Sequence, residues 1–178
     1  MTRKNNTVFI ACDTHSEAKV KKIIELTKNS PLNIGYKFGL EFFNSKHGRN
    51  FISKLPKQHM VWLDLKLKDI PNTVASSIHS LKDLTNINYL TIHASGGIQM
   101  MQAAKLAVKK TNKKLKILAV TVLTSFSEKS IKQIQYFRYR INFYWTYFYT
   151  SMCYYINFNY CHQWGKFQLL TLKTLTLH

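Results

Sequence analysis

The sequence predicts an α/β fold built on a parallel sheet or barrel. Three observations support it: short apolar segments recur along the first three quarters of the chain, segments with helical spacing separate them, and each apolar segment ends in a polar residue. A chain of 178 residues is long enough for one domain with a sizeable core. It is short for a complete α/β barrel, which needs roughly 200 to 250 residues.

The predicted elements alternate from residue 7 to residue 135. Helices are expected where apolar residues recur at helical spacing, and Ser16 stands where it can cap the first of them. The predicted strands are TVFIACD (7–13), NIGYKFG (33–39), MVWLDLKL (60–67), INYLTIH with the turn ASGG (87–97) and LKILAVTVLTS (115–125). The predicted helices cover residues 16–29, 40–55 with an interruption, 70–84, 98–111 and a segment that opens at residue 127.

The chain is strongly basic. It carries 26 basic and 8 acidic residues, which gives a formal net charge of +18. Such a surplus favours binding of anions, whether these are phosphorylated metabolites, nucleic acid or a membrane surface. Richness in Lys, Asn and Ile also results from compositional bias in coding DNA, so the charge alone does not choose among these partners.

The cysteines and the first residues indicate the compartment. Cys12, Cys153 and Cys161 form no CxxC pair, so the sequence predicts neither a disulfide framework nor a zinc site. The opening MTRKNNTVFIACD has only a short apolar run and no small-residue cleavage signal, which is not typical of a signal peptide. We therefore expect a reducing, cytoplasmic setting.

The composition of the chain changes near residue 136. Residues 136–178 hold 15 aromatic residues, against 9 in the preceding 135, and contain no Asp or Glu. Residues 141–160 form an uncharged stretch of 20 residues, long enough for a membrane span, but repeated Tyr and Asn favour an interface over the hydrocarbon core. We therefore divide the chain into a regular part, 1–135, and an aromatic-rich tail, 136–178.

Every predicted strand ends in polar residues. Because the carboxyl ends of parallel strands meet at one rim, where the active sites of α/β proteins form, we expect these side chains to share a site. They are, in chain order, Asp13, Lys37, the group Asp64, Lys66 and Asp69, then His93, and finally the pair Thr124 and Ser125.

The third predicted strand, in WLDLKLKDIPNT, carries the densest of these groups. Residues two apart in a strand share a face, so Asp64 and Lys66 project together, and Asp69 lies just past the strand end. A solvated charge pair at a strand edge is the structural alternative for this group. Lys37 is likewise interpretable as one of the many surface lysines of a basic chain.

The other strand-end residues also have structural alternatives. A lone histidine such as His93 is more often a hydrogen-bonded structural residue than a catalytic one. Asp13 competes with Ser16 to cap the first helix. Ser125 is expected to cap the last predicted helix, with Glu128 completing a capping box.

The segments DLKLKDIPNTV, YKFG, IHASGG and VTVLTS resemble the orotidine 5'-phosphate decarboxylase family over about residues 7 to 135. The D-x-K-x-x-D pattern is shared with related phosphosugar decarboxylases and synthases, whereas its I-P-N-T continuation and the HASGG turn indicate the orotidylate branch. The resemblance implies a (β/α)8 TIM barrel, of which this chain holds about the first five β/α units. It also implies a homodimeric lyase that converts orotidine 5'-phosphate to UMP and CO2 in de novo pyrimidine biosynthesis, without metal or organic cofactor.

The same resemblance assigns roles to matching residues. Lys66 is the implied proton donor to C6 of the pyrimidine, and Asp64 faces the substrate carboxylate and holds Lys66 in position. The implied charged network alternates Lys37, Asp64, Lys66 and Asp69 of the partner subunit. The implied substrate-binding residues are Asp13 and Lys37 at the ribose hydroxyls, Thr73 across the dimer interface, and Ser125 at the pyrimidine with Thr124 beside it.

The tail departs from the family pattern. The family binds the substrate phosphate late in the chain, through a glutamine after strand seven and an arginine in a T-P-G-I-R-like stretch. Residues 136–178 hold no such stretch, so we expect weaker binding and slower catalysis. We also expect unpaired edges at the first and fifth strands. Out-of-frame translation beyond residue 135 is our hypothesis for this break.

Two other functions stay open at this point. One is a non-functional remnant of the enzyme that lacks the strands needed for a stable barrel. The other is a basic protein that binds single-stranded nucleic acid through stacked aromatic side chains and lysines. Most lysines lie outside the aromatic block, and the resemblance favours an enzyme that binds neither nucleic acid nor membrane.

Overall fold

The computed structural model describes residues 7–130 except positions 113, 124 and 128, together with the backbone of three short strands in the tail. Strands β1 to β5 are Thr7–Ala11, Asn33–Gly39, Met60–Leu67, Ile87–His93 and Lys116–Val120. Helices α1 to α5 are Glu17–Thr27, Leu40–Phe43, Gly48–Lys54, Pro71–His79 and Gly97–Thr111. A 3-10 turn at Ala94–Gly96 precedes α5, and the tail strands are Tyr155–Asn157 (β6), Leu169–Leu170 (β7) and Thr174–Leu175 (β8).

The five longer strands pair in chain order, and all four pairings are parallel. Helices connect successive strands, so the α/β arrangement predicted from the apolar periodicity is confirmed. The predicted strand MVWLDLKL coincides with β3, and the predicted interruption of residues 40–55 separates α2 from α3. This part of the chain is an incomplete barrel of five β/α units.

The outer strands of this five-stranded unit are also paired. β6 lies antiparallel to β5, with Ile156 opposite Ala119, and β8 lies parallel to β1, with Thr174 opposite Phe9. β7 extends the sheet beyond β6, which gives the strand order β7-β6-β5-β4-β3-β2-β1-β8. The prediction of unpaired edges at β1 and β5 is therefore wrong, because short backbone segments of the tail supply the missing ladder partners.

None of the helices that the structure describes is both long and apolar enough to cross a membrane. The uncharged stretch 141–160 lies outside the described residues, except for the backbone of β6. The described residues therefore do not test the alternative of a membrane span in this stretch.

The larger hydrophobic core lies between the helices and one face of the sheet. Helices α4 and α5 pack against each other, and their inward side chains are almost completely buried. Val74 and Ile78 of α4 and Met100 and Ala104 of α5 are each at most 1% exposed. Burial of such side chains is the main term that stabilises the β/α units and holds the strand ends in place.

The opposite face of the sheet carries a smaller apolar cluster. Phe9 and Trp62 are fully buried there, with the Phe9 ring edge-on to Trp62 at 5.3 Å between centroids. Gly35 makes this packing possible, because a Cβ at that position would lie 2.5 Å from the Phe9 ring. Trp62 and Asp64 are two residues apart in β3, so this apolar cluster lies directly beneath the charged strand end.

The first helix begins as the sequence predicts. Ser16 Oγ accepts a hydrogen bond from the backbone N–H of Lys19 at 3.4 Å, which satisfies one of the free donors at the start of α1. Ser16 therefore takes the capping role for which Asp13 competed. The Asp13 carboxylate instead lies at the rim of the sheet, beside Lys37.

The cap of the last predicted helix differs from the prediction. Ser127 Oγ accepts a hydrogen bond from the backbone N–H of Ser130 at 3.2 Å, and helical backbone begins at residue 129. The prediction that Ser125 caps this helix is therefore wrong, because the capping hydroxyl is that of Ser127, two residues later in the chain. Glu128, the expected partner of Ser125, lies outside the described residues.

Candidate active site

Adjacent parallel strands place charged residues along one rim of the sheet. The register pairs Ala11 of β1 with Lys37 of β2, and Gly39 of β2 with Asp64 of β3. Asp13 lies two residues beyond Ala11, past the end of β1, at the same carboxyl end of the sheet. The sequence expectation that the carboxyl ends of successive strands collect polar groups is met at β1, β2 and β3.

Four side chains at this rim form a continuous line of alternating charge. Lys37 Nζ lies 3.5 Å from Asp13 Oδ1 and 3.4 Å from Asp64 Oδ2. Lys66 Nζ lies 2.7 Å from the same Asp64 Oδ2. We call Asp13, Lys37, Asp64 and Lys66 the charged line. One carboxylate at its centre serves two lysines.

Asp64 is the most buried member of the charged line. Its side chain is 5% exposed, compared with 13% for Lys37, 30% for Lys66 and 50% for Asp13. A carboxylate buried to this degree needs partners for both oxygens. Oδ2 faces the two lysines, and Oδ1 accepts a hydrogen bond from Thr91 Oγ1 at 2.9 Å. Both oxygens are thus held in fixed directions.

The backbone of Lys66 has an uncommon conformation. Its φ is 48°, the one positive φ of a non-glycine residue in the described part of the chain. The left-handed region costs such a residue about 1 to 2 kcal/mol. The pairing of β3 with β4 is also irregular here, since Leu63 pairs with Leu90 and the next pair is Leu67 with Ile92. Strained backbone of this kind is concentrated at functional sites.

His93 ends β4 near the charged line. Burial lowers the pKa of its imidazole below the ordinary value, and the positive charges of Lys68 and Lys66 lower it further, against the opposing effect of Asp64. The lowered pKa therefore favours the neutral ring, which limits positive charge beside Lys66. This position agrees with the expected polar end of the fourth strand.

Cys12 lies close to Asp13 and Lys37, but its thiol is unreactive at neutral pH. Its thiol is buried, and burial together with the negative charge of Asp13 raises its pKa to about 12, against a lowering effect of Lys37. Only the thiolate is a good nucleophile or metal ligand, so the protonated Cys12 has neither role at neutral pH. In the described ranges, moreover, no group of three or more His, Cys, Asp or Glu side chains could hold a metal ion.

Some expected site residues stand apart from the charged line in this single chain. Asp69 is exposed, and its Oδ1 accepts a hydrogen bond from the backbone N–H of Ile70 at 2.7 Å. Thr73, in the first turn of α4, is exposed, and so is Ser125. Thr124 lies outside the described residues.

Thr91 is a member of the site that sequence reasoning missed. It lies in β4, is completely buried, and contacts both the Asp64 carboxylate and the backbone N–H of Lys66. The segment INYLTIH does not indicate this role. Threonine is common in strands, and a single threonine within an apolar run is usually interpreted as a core residue. The one indication in the sequence was that Thr91 and His93 lie two residues apart and so share a face of the strand.

The sequence also matches a known family. Residues 6–146 match the pattern of the family described as Orotidine 5'-phosphate decarboxylase / HUMPS family. The chain belongs to this family. The match to the orotidine 5'-phosphate decarboxylase / HUMPS family continues to residue 146, which is inside the aromatic-rich tail.

Individual relatives support the same placement. Orotidine 5'-phosphate decarboxylase of Staphylococcus aureus is 39% identical over 128 residues, which are 71% of this chain and 54% of that protein. The chain thus spans about half the length of the curated relatives it matches.

Solved structures of this family share the fold. The crystal structure of orotidine 5'-phosphate decarboxylase from Lactobacillus acidophilus aligns with a TM-score of 0.65 at 36% identity, covering 75% of this chain and 61% of that one. The enzyme from Methanocaldococcus jannaschii, crystallised with the inhibitor BMP, aligns with a TM-score of 0.59 at 23% identity, covering 73% of this chain and 57% of that one. The more distant likeness concerns the fold alone.

The depressed pKa of His93 predicts how stability depends on pH in this family member. At pH values between the lowered pKa and the ordinary value of 6.5, His93 is protonated less often in the folded state than in the unfolded state. The free energy of unfolding should therefore fall as the pH drops below about 6.5, and His93→Gln should remove part of that fall. Urea unfolding at pH 7.5 and 5.5 measures it, with exposed His47→Gln as the matched control. Equal pH slopes in wild type and His93→Gln would contradict the prediction.

Proposed function

We propose that this chain carries the reacting centre of an orotidine 5'-phosphate decarboxylase, which converts orotidine 5'-phosphate to UMP and CO2. The observation that carries the proposal is the charged line, in which the buried Asp64 carboxylate holds Lys66 Nζ at 2.7 Å. Membership of the family supports the choice of substrate. The reaction belongs to pyrimidine biosynthesis, and the free, buried thiol of Cys12 fits a reducing cytoplasm.

The charged line suits the chemistry of this decarboxylation. The bond between C6 of the pyrimidine and its carboxylate carbon breaks, CO2 leaves, and the electron pair stays on C6. A cation fixed nearby stabilises that negative charge as it develops. Lys66 then gives a proton from Nζ to C6, which completes UMP, and solvent returns a proton to the lysine. No oxidant, reductant or further reactant is needed for the balance.

Asp64 has two roles in this proposal. Its carboxylate keeps Lys66 Nζ in one place through the 2.7 Å ion pair, so little reorganisation is needed when charge develops on C6. In the proposal the departing carboxylate of the substrate lies beside it, and loss of CO2 relieves the repulsion between them. Asp13 and Lys37, at the more exposed end of the charged line, are the proposed ligands of the ribose hydroxyls.

The remaining residues are proposed to act from other positions. Asp69 and Thr73 are exposed and stand apart from the charged line of their own chain, which suits a role in the site of a second copy. A homodimer is therefore part of the proposal, with Asp69 of the partner subunit completing the alternation beside Lys66. Ser125 and Thr124 are proposed to contact the pyrimidine.

Decarboxylation of orotidine 5'-phosphate by the purified chain tests this function. The wild type should release UMP, and Lys66→Ala should lower kcat by about a thousandfold or more, because both the cation and the proton donor are lost. Lys68→Ala, an exposed lysine two residues away, is the matched control and should keep kcat within about twofold. Equal rates from wild type and Lys66→Ala, or no UMP at all from the wild type, would refute the proposal.

We further propose that the tail, residues 136–178, contains an out-of-frame translation product that begins between codon 135 and the end of the family match at residue 146. The abrupt change in composition and the absence there of a T-P-G-I-R-like segment support this. Reading the coding DNA in the other two frames beyond codon 135 tests it. A T-P-G-I-R-like segment in one of those frames is the expected result, and its absence from both would remove the support for this idea.

A further inference from the structure

We propose that Thr91 is a positioning residue of the reacting centre, an inference that rests on the proposed decarboxylation. Thr91 is buried beneath the rim with no measurable exposure. Its hydroxyl makes two hydrogen bonds of 2.9 Å, one donated to Asp64 Oδ1 and one accepted from the backbone N–H of Lys66. One side chain thus fixes both partners of the shortest ion pair in the charged line.

The irregular ladder between β3 and β4 explains why a side chain is needed here. Leu63 pairs with Leu90 and Leu67 with Ile92, so three residues of β3 stand opposite the single residue Thr91. A bulge of this kind takes backbone groups out of the ladder. The Lys66 N–H bonds the Thr91 hydroxyl, where a regular ladder would offer it a backbone carbonyl.

The same contact holds the uncommon backbone of Lys66. A non-glycine residue with φ of 48° persists only where its surroundings determine it. The Thr91 hydroxyl supplies one determinant at the Lys66 N–H, and Asp64 Oδ2 supplies the other at Nζ. Because the hydroxyl also holds Oδ1 of the same carboxylate, both determinants depend on Thr91.

The hydroxyl acts as both donor and acceptor in this arrangement. A threonine hydroxyl has one proton to donate, and here a carboxylate takes it, so the oxygen is free to accept from the amide. Valine has the same shape without the hydroxyl and would leave the partly buried N–H of Lys66 and one carboxylate oxygen of Asp64 without these partners. Serine keeps the hydroxyl and loses only a methyl group.

Kinetics of three variants test the proposal. Thr91→Val should lower kcat about ten- to a hundredfold with little change in KM, as expected when a hydrogen bond to a charged group at the reacting centre is lost. Thr91→Ser should restore kcat to within about threefold of wild type. Thr27→Val is the matched control. Thr27 Oγ1 also makes two partly buried hydrogen bonds, to Ile23 O and Tyr36 Oη, but it lies away from the rim. It should leave kcat unchanged.

Amide hydrogen exchange at Lys66 provides a readout that does not need activity. Exchange should be faster at Lys66 in Thr91→Val than in wild type or Thr91→Ser, whereas a general loss of stability would accelerate exchange across all of β3. If Thr91→Val does not fold, Thr91→Cys takes its place, since a thiol is a weak donor and acceptor.

The outcomes separate this proposal from the function on which it rests. Normal kcat and normal Lys66 exchange in the hydroxyl-free variant overturn the role of Thr91 while leaving the decarboxylase intact. A wild type without activity, or one matched by Lys66→Ala, overturns the decarboxylase. The exchange rate at Lys66 then still decides whether Thr91 positions it.

Discussion

Asp64→Asn is expected to abolish most of the proposed decarboxylation and also to destabilise the fold. The substitution keeps the shape of the side chain and removes the negative charge that Lys37 and Lys66 share. Two ammonium groups then face a neutral amide in a partly desolvated site, where their repulsion is no longer offset. We expect kcat to fall about a thousandfold and the free energy of unfolding to fall by about 3 kcal/mol, the lower end of the range for a broken buried pair.

A surface pair in the same chain provides the control. Asp83 forms an ion pair with Arg49, and both side chains are substantially exposed, at 55% and 39%. Asp83→Asn removes the same charge, but its cost should stay below about 1 kcal/mol because solvent screens the pair. Urea unfolding of both variants, together with steady-state kinetics, checks the prediction. Equal destabilisation by the two substitutions would show that burial of Asp64 has no special effect.

Gly48→Ala is expected to cost the most stability of any Gly→Ala substitution in the described part of the chain. Gly48 begins α3, and a Cβ there would lie 1.7 Å from Phe42 O and 2.7 Å from Phe42 C. Both are backbone atoms, so the loop between α2 and α3 must move. Phe42 stacks on Phe38 and packs edge-on against Phe51, so the movement would spread into the core. The free energy of unfolding should fall by about 3 kcal/mol or more.

Thermal and urea unfolding measure this loss, with Gly39→Ala as the control. A Cβ at Gly39 would meet only Asp13 Oδ1, at an ordinary contact distance of 3.5 Å. Its effect on stability should therefore stay within about 1 kcal/mol. Similar midpoints for Gly48→Ala and wild type would mean that the α2–α3 loop adapts freely, contrary to this account.

The elements of the fold were predictable because their patterns are local. The run MVWLDLKL has the length and composition of a strand between two turn segments, and it coincides with β3. Ser16 was predictable as a cap because a serine immediately precedes a helical pattern. The pairing of tail strands with β1 and β5 was not predictable, because a backbone ladder imposes little requirement on side chains and the tail has no clear period.

The site was predictable where charge marks it and not elsewhere. Asp64 and Lys66 stand out because charged residues in a buried strand need a reason. Thr91 does not stand out, since its role depends on a bulge between β3 and β4 that no single strand sequence reveals. The left-handed backbone of Lys66 is equally hidden, because lysine has no preference for that region and tertiary contacts impose it.

The chain-order pairing of β1 to β5 has a consequence for synthesis on the ribosome. Each parallel ladder joins consecutive strands, so each forms by closing the shortest connection that a β/α unit allows. A nascent chain folds from its N-terminus, and the charged line with Thr91 is complete once residue 91 has emerged. Residues 136–178 are therefore translated after the charged line and Thr91, so a change confined to them comes later in synthesis.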